Sequence, residues 1–375
     1  MKKIFILTGE LSGETHAKNL IRYMKQIRKD LKFYAIGSGL LKKEGCLILE
    51  DYKNISIIGF IEVLSKYFLI KKILKKVFHF LQSQRPDMVI LVDFPGFNLR
   101  VARYCHDLGI KTVYFIPPQI WAWHYHRVEE IKKYIDLVIP VLDFEKKIYG
   151  KERIPYTFFG HPVTENIWIR DKDLKIRLNI PKKHKLIAVF PGSRAQEIKY
   201  NLDVICRGVC LIQSKMPDTF ILMGCASNIK KNILQEKIKT YHLQNTMVLQ
   251  DRTCDILNIA DCAIMVSGTI TLEGAFFLVP MLVVYNLSKL SYLLIRYFLI
   301  RTKFISLVNL LFGKKIVEEL VGKDLTPENI SLECLKILQN RSYRQDQQKA
   351  LKKVKSLLGR KGDLEKTARK ILQIV

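Results

Sequence analysis

Two turns suited to phosphate and one isolated carboxylate carry the chemistry available to this sequence. FPGSRAQEIK, at residues 190–199, follows the apolar run Leu186–Val189. Pro191, Gly192, Ser193 and Arg194 therefore fall where a strand ends and a helix begins. Free backbone amides and the helix dipole favour an anion at such a start, and Arg194 can neutralise a diphosphate through its bidentate fork. The plain alternative is a capped turn. MVSGTITLEGA, at residues 265–275, repeats the arrangement. Here Ser267, Gly268 and Thr269 end a strand, and Ser267 or Thr269 is expected to cap the following helix and bind phosphate. Glu273 lies one turn in, where a carboxylate accepts hydrogen bonds from ribose hydroxyls. Two anion-friendly helix starts in one half of the chain point to a nucleoside diphosphate rather than a lone phosphate.

The carboxylate is Asp93 in LVDFPGFNLRVARY. At the carboxyl end of a strand it serves as a general base if it reaches a nucleophilic hydroxyl, or else it fixes the turn. TGELSGETHAKNL, at residues 8–20, offers Gly9, Glu10, Ser12 and Gly13. It is neither a GxGxxG nor a P-loop, and reads equally as an anion-friendly helix start or a tight strand-to-helix turn. IGSGLLKKEG at 36–45 repeats the theme. In YFIPPQIWAWHYHRVEE the pair His124 and His126 lacks the further ligands a zinc site needs. Trp121 and Trp123 read as aromatic packing or substrate contact.

Doubly wound sheets position such loops. Expected strands are Lys3–Leu7, Phe33–Ile36, Met88–Val92, Thr112–Ile116, Leu137–Pro140 and Tyr156–Phe159. A second series follows at Leu186–Phe190, Thr219–Met223, Thr246–Leu249, Cys262–Met265 and Met281–Val284. Helical segments between them imply βαβ units and parallel sheets. The series restarts after the polar stretch DKDLKIRLNIPKKHK. The fold class is therefore α/β, with two Rossmann-like doubly wound domains facing a cleft. The expected divisions are residues 1–170, residues 171–345, and a helical tail 346–375 that packs back on the first domain. SLVNLLFGKKIVEELVGKDLTPENI, at 306–330, reads on pattern as a loop and then an ordinary amphipathic helix.

A chain of 375 residues with 49% hydrophobic residues is globular, and a net charge of +27 calls for anionic partners. No RRM, KH, helix-turn-helix or zinc pattern accompanies that charge, which argues against nucleic acid. The 8 cysteines form no CxxC and read as reduced cytosolic thiols. The start reads as a first strand and not a signal peptide, and the longest uncharged stretch, Gly274–Ser288, falls short of the ~18–20 residues of a spanning helix. IGFIEVLSKYFLIKKILKKVFHFL, at 58–81, is a basic amphipathic helix. Leu64, Ile70, Ile73, Leu74 and Val77 lie on its apolar half, with Lys71, Lys72, Lys75 and Lys76 opposite. Such a helix lies in a membrane interface or packs on the core. LSKLSYLLIRYFLIRTKF at 287–304 has the same character.

Taken in order, GELSGE, GFIEVL, DFPGFN, PPQIWAW, FFGHPV, FPGSRAQEI, SGTITLE and SLVNLL resemble the lipid-A-disaccharide synthase family, inverting glycosyltransferases of the GT-B architecture. The resemblance covers nearly the whole chain. It implies transfer of a diacylated glucosamine from UDP-2,3-diacylglucosamine to 2,3-diacylglucosamine 1-phosphate, with a β-1,6 bond made and UDP released. It also implies a metal-independent enzyme without a cofactor, bound peripherally to an anionic membrane surface on the cytoplasmic face of the inner membrane, and a homodimer. Asp93, Arg194, Ser267, Gly268, Thr269, Glu273, Asn309 and Glu319 match the family pattern. By that match Asp93 is the candidate base. Ser193, Arg194, Ser267, Gly268, Thr269, Glu273, Asn309 and Glu319 are candidate UDP contacts, and the Gly9–Gly13 loop belongs to the acceptor side. The chain departs from the pattern at Glu14, Leu40, Gly96, Val308 and Gly322, where the family usually has Asp, Gly, Asp, Pro and Gln.

Overall fold

The computed structural model describes residues 1–54, 60–121, 125–286 and 303–375, with residues 60–67 described by backbone alone. Within these limits the chain forms two compact units. One comprises Met1–Glu165 with Gly359–Val375, and the other Asn166–Leu358.

The first unit holds β1 (Lys2–Thr8), β2 (Leu31–Gly37), β3 (Leu47–Asp51), β4 (Met88–Val92), β5 (Lys111–Phe115) and β6 (Leu137–Ile139). They form one six-stranded sheet in the order β3-β2-β1-β4-β5-β6, and every pairing is parallel. The second unit holds β7 (Lys185–Phe190), β8 (Thr219–Cys225), β9 (Thr246–Gln250), β10 (Cys262–Val266), β11 (Met281–Tyr285) and β12 (Glu318–Val321). Its sheet runs β12-β11-β10-β7-β8-β9, again parallel throughout. Renumbered from its own first strand, this is the same order as the first sheet, read from the other edge. The central strands are buried along almost their whole length, as the uninterrupted apolar runs VILV and CAIMV require when helices cover both faces.

Two expectations fail. Tyr156–Phe159 forms no strand. It makes a single bridge, Val138 to Tyr156, because the chain leaves the sheet edge at once. Residues 306–330 are not a loop and one helix. Leu307–Phe312 is a short helix closed by Gly313 at φ 71, and Glu318 and Glu319 lie on edge strand β12. Two strands, β3 and β12, had no strong apolar signal because each is a half-exposed edge.

The return of the chain after Leu358 completes the first core. Leu364, Ala368 and Ile371 of the helix Asp363–Leu372 are buried against Ala17, Leu20, Ile21 and Met24 of the helix Leu11–Ile27. Burying a Leu or Ile side chain contributes about 1.5–3 kcal/mol. Glu165 ties the return down by accepting from the Gly362 amide at 2.6 Å and from the Tyr23 hydroxyl at 2.9 Å. The helix Arg341–Leu357 stays with the second unit.

The helix Phe60–Gln84 settles one alternative for the residues whose side chains are described. Ile73 and Val77 are buried in the first unit's core, and Ile70 and Leu74 pack against it. The expectation that these four face a membrane is corrected, since the apolar half of the helix covers the sheet. Leu64 lies outside the residues with described side chains. Phe68 is 80% exposed and Leu69 40% exposed, on the same side as the exposed Lys71, Lys72, Lys75 and Lys76. The stretch 287–302 also lies outside the described residues. No described helix is long and apolar enough to cross a membrane.

Candidate active site

In a doubly wound sheet, ligands bind beyond the carboxyl ends of the strands at the point where the strand order reverses. In the first unit that point lies between β1 and β4, which pair through Thr8 and Val92. The next residues are Gly9 and Asp93. In the second unit it lies between β7 and β10, which pair through Phe190 and Met265. Pro191–Arg194 and Ser267–Thr269 follow at once. Four of the loops singled out by residue type therefore stand at the two switch points, while the Gly37–Gly39 loop follows β2 and the Pro117–Trp121 loop follows β5.

Asp93 sits in a strained turn. It has φ 50 and Phe94 has φ 47, and the helix Pro95–Asp107 starts directly afterwards with proline in its first turn. Ile116, at the end of β5, has φ 60. Residues without glycine's freedom cost on the order of 1–3 kcal/mol each in such a region, and they persist only where the surroundings dictate them. The surroundings are specific. The Asp93 amide donates to the Ile116 carbonyl at 3.1 Å. The Asp93 carbonyl accepts from Asn98 Nδ2 at 2.7 Å and from the Tyr114 hydroxyl at 2.8 Å. Gly9 is required opposite, because a Cβ there would stand 2.5 Å from Phe94 Cβ.

The rest of the Gly9–Gly13 loop is held internally. Ser12 Oγ donates to Glu10 Oε1 at 2.7 Å. Glu14, which replaces the family's Asp, is buried and accepts from Ser38 Oγ at 2.7 Å and the Leu41 amide at 3.2 Å. His16 is buried one turn further on, edge-on to His161 at 5.9 Å, and its Nδ1 has no hydrogen-bond partner among the described residues. Burial pushes the His16 imidazole down to about 4, against the raising effect of Glu10. In the loop after β5, Trp121 donates through Nε1 to Glu145 at 3.1 Å, and Trp123 and His124 lie outside the described residues. Glu145 also accepts from the Val141 and Leu142 amides, yet burial raises its carboxyl to about 7.

In the second unit Gly192 adopts φ 125, and a Cβ there would stand 2.6 Å from Glu197 Cβ. The Ser193 and Arg194 amides were expected to face a bound anion. They donate instead to Glu197 Oε2 at 2.9 and 3.3 Å, because a carboxylate at the third helical position folds back on the helix start. Arg194 also pairs with Glu197 Oε1 at 3.1 Å while its side chain stays 39% exposed. Asn228 Nδ2 donates to the Ser193 carbonyl at 2.8 Å and fixes the loop from the neighbouring strand end.

Neither Ser267 nor Thr269 caps the helix Ile270–Phe276, contrary to expectation. Ser267 Oγ donates to the Ile305 carbonyl at 2.8 Å, and Thr269 already has helical φ and ψ. Gly268 faces open space. Glu273 is half-buried, makes no hydrogen bond through its carboxyl among the described residues, and is raised by burial to about 7.

Asn309 and Glu319 were expected to contact nucleotide directly, and their polar atoms are taken. Asn309 Oδ1 accepts from the Ile316 and Val317 amides at 2.8 and 3.1 Å. Its Nδ2 donates to the Val317 carbonyl at 3.0 Å and to Glu319 Oε1 at 2.7 Å. An amide side chain has no further capacity. Glu319 also accepts from the Ile305 and Ser306 amides and from Ser306 Oγ. Both residues brace the 305–306 segment whose carbonyl receives Ser267. Val308 is fully buried, and Gly322 takes φ 58, a conformation open to glycine and costly for the family's Gln.

Asn98, Tyr114, Glu145, Asn228 and Ser306 escaped the sequence reading. Asn98 stood in a quoted motif without a role. Ser306, which accepts from the Asn309 amide, likewise stood in a quoted motif without a role, and Glu145 takes two nearby amides as well as Trp121; Tyr114 and Asn228 carry no local signal, since their partners are distant in sequence. Among the described residues no group of three or more His, Cys, Asp or Glu side chains is placed to hold a metal ion.

Two doubly wound parallel sheets and the family reported below make this a glycosyltransferase of the GT-B fold. The S. aureus MnaA–UDP co-structure matches with a TM-score of 0.67 at 12% identity, over 100% of this chain and 98% of that one. A glycotransferase of kitacinnamycin matches with a TM-score of 0.64 at 12% identity, over 100% and 99%. UDP-GlcNAc 2-epimerase from Neisseria meningitidis, bound to UDP-GlcNAc, matches at 0.62 with 12% identity, over 100% and 99%. These likenesses establish the fold. The family model for lipid-A-disaccharide synthetase matches residues 4–375, and the chain belongs to that family. Lipid-A-disaccharide synthase of Nitrosococcus oceani is 35% identical over 95% of this chain and 92% of its own length. That of Syntrophotalea carbinolica is 32% identical over 100% and 95%.

Proposed function

We propose that the chain transfers the sugar of UDP-2,3-diacylglucosamine to the 6-hydroxyl of 2,3-diacylglucosamine 1-phosphate, giving the β-1,6-linked disaccharide 1-phosphate and UDP. Family membership supplies the reaction. The observation that carries the residue roles is the placement of four loops at two switch points. The Asp93 carboxylate takes the proton of the attacking hydroxyl, which displaces UDP in one step and inverts the anomeric carbon. Charge grows on the departing diphosphate. Arg194 and the Ser267–Gly268–Thr269 turn are the groups to meet it, because donors aimed in advance need no reorganisation. Glu273, half-buried and without a hydrogen bond to its carboxyl among the described residues, suits the ribose hydroxyls. Asn309, Glu319 and Ser193 serve by holding these turns in place.

The membrane face in this reading is the exposed side of the helix Phe60–Gln84. Phe68 and Leu69 enter the interface, and Lys71, Lys72 and Lys75 meet anionic headgroups. In this reading the enzyme binds peripherally at the cytoplasmic face of the inner membrane, as the family resemblance implies. The homodimer rests on the family resemblance.

The test supplies both lipid substrates in detergent micelles with EDTA present, and compares wild type with Asp93→Ala and Arg194→Ala. Disaccharide from wild type that is lost in both variants supports the roles. Activity persisting in Asp93→Ala removes Asp93 as base. No disaccharide from folded wild type rejects the reaction for this chain.

A further inference from the structure

We propose that Asn98 and Tyr114 form a clamp whose task is to aim the Asp93 carboxylate, making both positioning residues for the transfer. The inference rests on the reading of Asp93 as the base.

Two consecutive non-glycine residues with positive φ do not hold themselves. Asp93 and Phe94, at φ 50 and φ 47, turn the chain sharply out of β4. Relaxing either residue toward ordinary backbone would swing the Asp93 side chain away from the strand end. Three contacts oppose that. Asn98, buried in the first turn of the next helix, reaches back with Nδ2 to the Val92 carbonyl at 3.2 Å and the Asp93 carbonyl at 2.7 Å. It thus spans the last strand residue and the first strained one. Tyr114, fully buried on β5, donates its hydroxyl to the same Asp93 carbonyl at 2.8 Å. That oxygen receives two side-chain donors from two different elements, and the Asp93 amide is held by the end of β5 at 3.1 Å. The side on which Phe94 lies is closed by Gly9, where no side chain fits.

The contacts just named that reach Asp93 all run through its backbone, so the clamp sets the direction of the side chain through the main chain. Burial lifts the Tyr114 phenol well above its usual range, so it remains a donor at any working pH.

The test measures steady-state transfer with both lipid substrates for wild type, Tyr114→Phe, Asn98→Ala and Asp93→Ala, along with thermal melts and UDP affinity. Tyr114→Phe deletes one hydroxyl and keeps the ring. Expected is a fall in kcat of about tenfold for Tyr114→Phe and more for Asn98→Ala, with both KM values and the UDP affinity within about twofold of wild type. Tyr114→Phe remains informative if Asn98→Ala fails to fold. Inactive Asp93→Ala with full kcat in Tyr114→Phe overturns the clamp and leaves the base reading intact. Active Asp93→Ala overturns both. A Tyr114→Phe variant that raises KM at unchanged kcat assigns Tyr114 to substrate binding and also overturns the clamp.

Discussion

Asn309 and Glu319 hold each other at 2.7 Å, and between them they satisfy the Ile305, Ser306, Ile316 and Val317 amides. The Ser267–Thr269 turn is thereby tied to edge strand β12 through Ser267 and the Ile305 carbonyl. Residues matched to a family's nucleotide pattern are thus used up in bracing the segment that receives Ser267.

Asn309→Ala removes the acceptor for two amides. The expected loss is roughly 2–3 kcal/mol of stability, since an orphaned buried donor costs about 1–3 kcal/mol. Denaturant melts should show this loss at saturating UDP as well as without it, which separates bracing from direct contact.

UDP affinity should depend on pH through Glu273. Burial raises its carboxyl to about 7 in the free protein, and ribose hydroxyls favour the ionised form. Below pH 7 a proton must leave before UDP is held. Affinity is therefore expected to fall by up to about tenfold per unit as pH drops from 7. Glu273→Gln should bind more weakly at pH 8 and lose this dependence, leaving only the titration of UDP itself. Calorimetry at pH 5.5, 6.5 and 8 reads the difference.

Glu145 predicts a stability trend of the opposite sense. Its folded carboxyl is raised to about 7 from 4.5, so its contribution is full below pH 4.5 and is lost as pH rises through about 7. Between those values wild type should lose up to roughly 1.4 kcal/mol per pH unit relative to Glu145→Gln. Urea midpoints at pH 5 and pH 8 for the two proteins measure it.

Membrane binding should follow the exposed side of the helix Phe60–Gln84. Phe68→Ser with Leu69→Ser, or Lys71→Glu with Lys72→Glu, should each reduce co-sedimentation with phosphatidylglycerol vesicles several-fold. Only the lysine contribution should weaken with salt. Ile73→Ser instead unfolds the first core, because Ile73 is 3% exposed.

The central strands were legible because burial on both faces writes itself as unbroken apolar runs, as in Met88–Val92. Loops at their ends were legible because Gly192, Gly268 and Arg194 are residue types that anion sites use. Three things were not legible. Edge strands β3 and β12 bury too little to show a pattern. Helix direction was ambiguous at Ile73 and Val77, since an apolar face looks the same whether it meets a sheet or a lipid. Internal use of polar groups was hidden as well. That Glu197 takes the Ser193 and Arg194 amides depends on how residues 192–197 fold back, and Tyr114 meets Asp93 only because β4 and β5 are neighbours.

The first unit is written in two pieces, with Gly359–Val375 supplying Leu364, Ala368 and Ile371 to a core begun by Ile4 and Ile6. During synthesis, residues 1–165 emerge from the ribosome first but wait for their closing helix until nearly two hundred more have been added. The second unit, contiguous in sequence, is complete earlier. The order of translation and the order of folding are therefore expected to be reversed, and the nascent first unit is the stage at which a chaperone has something apolar to hold.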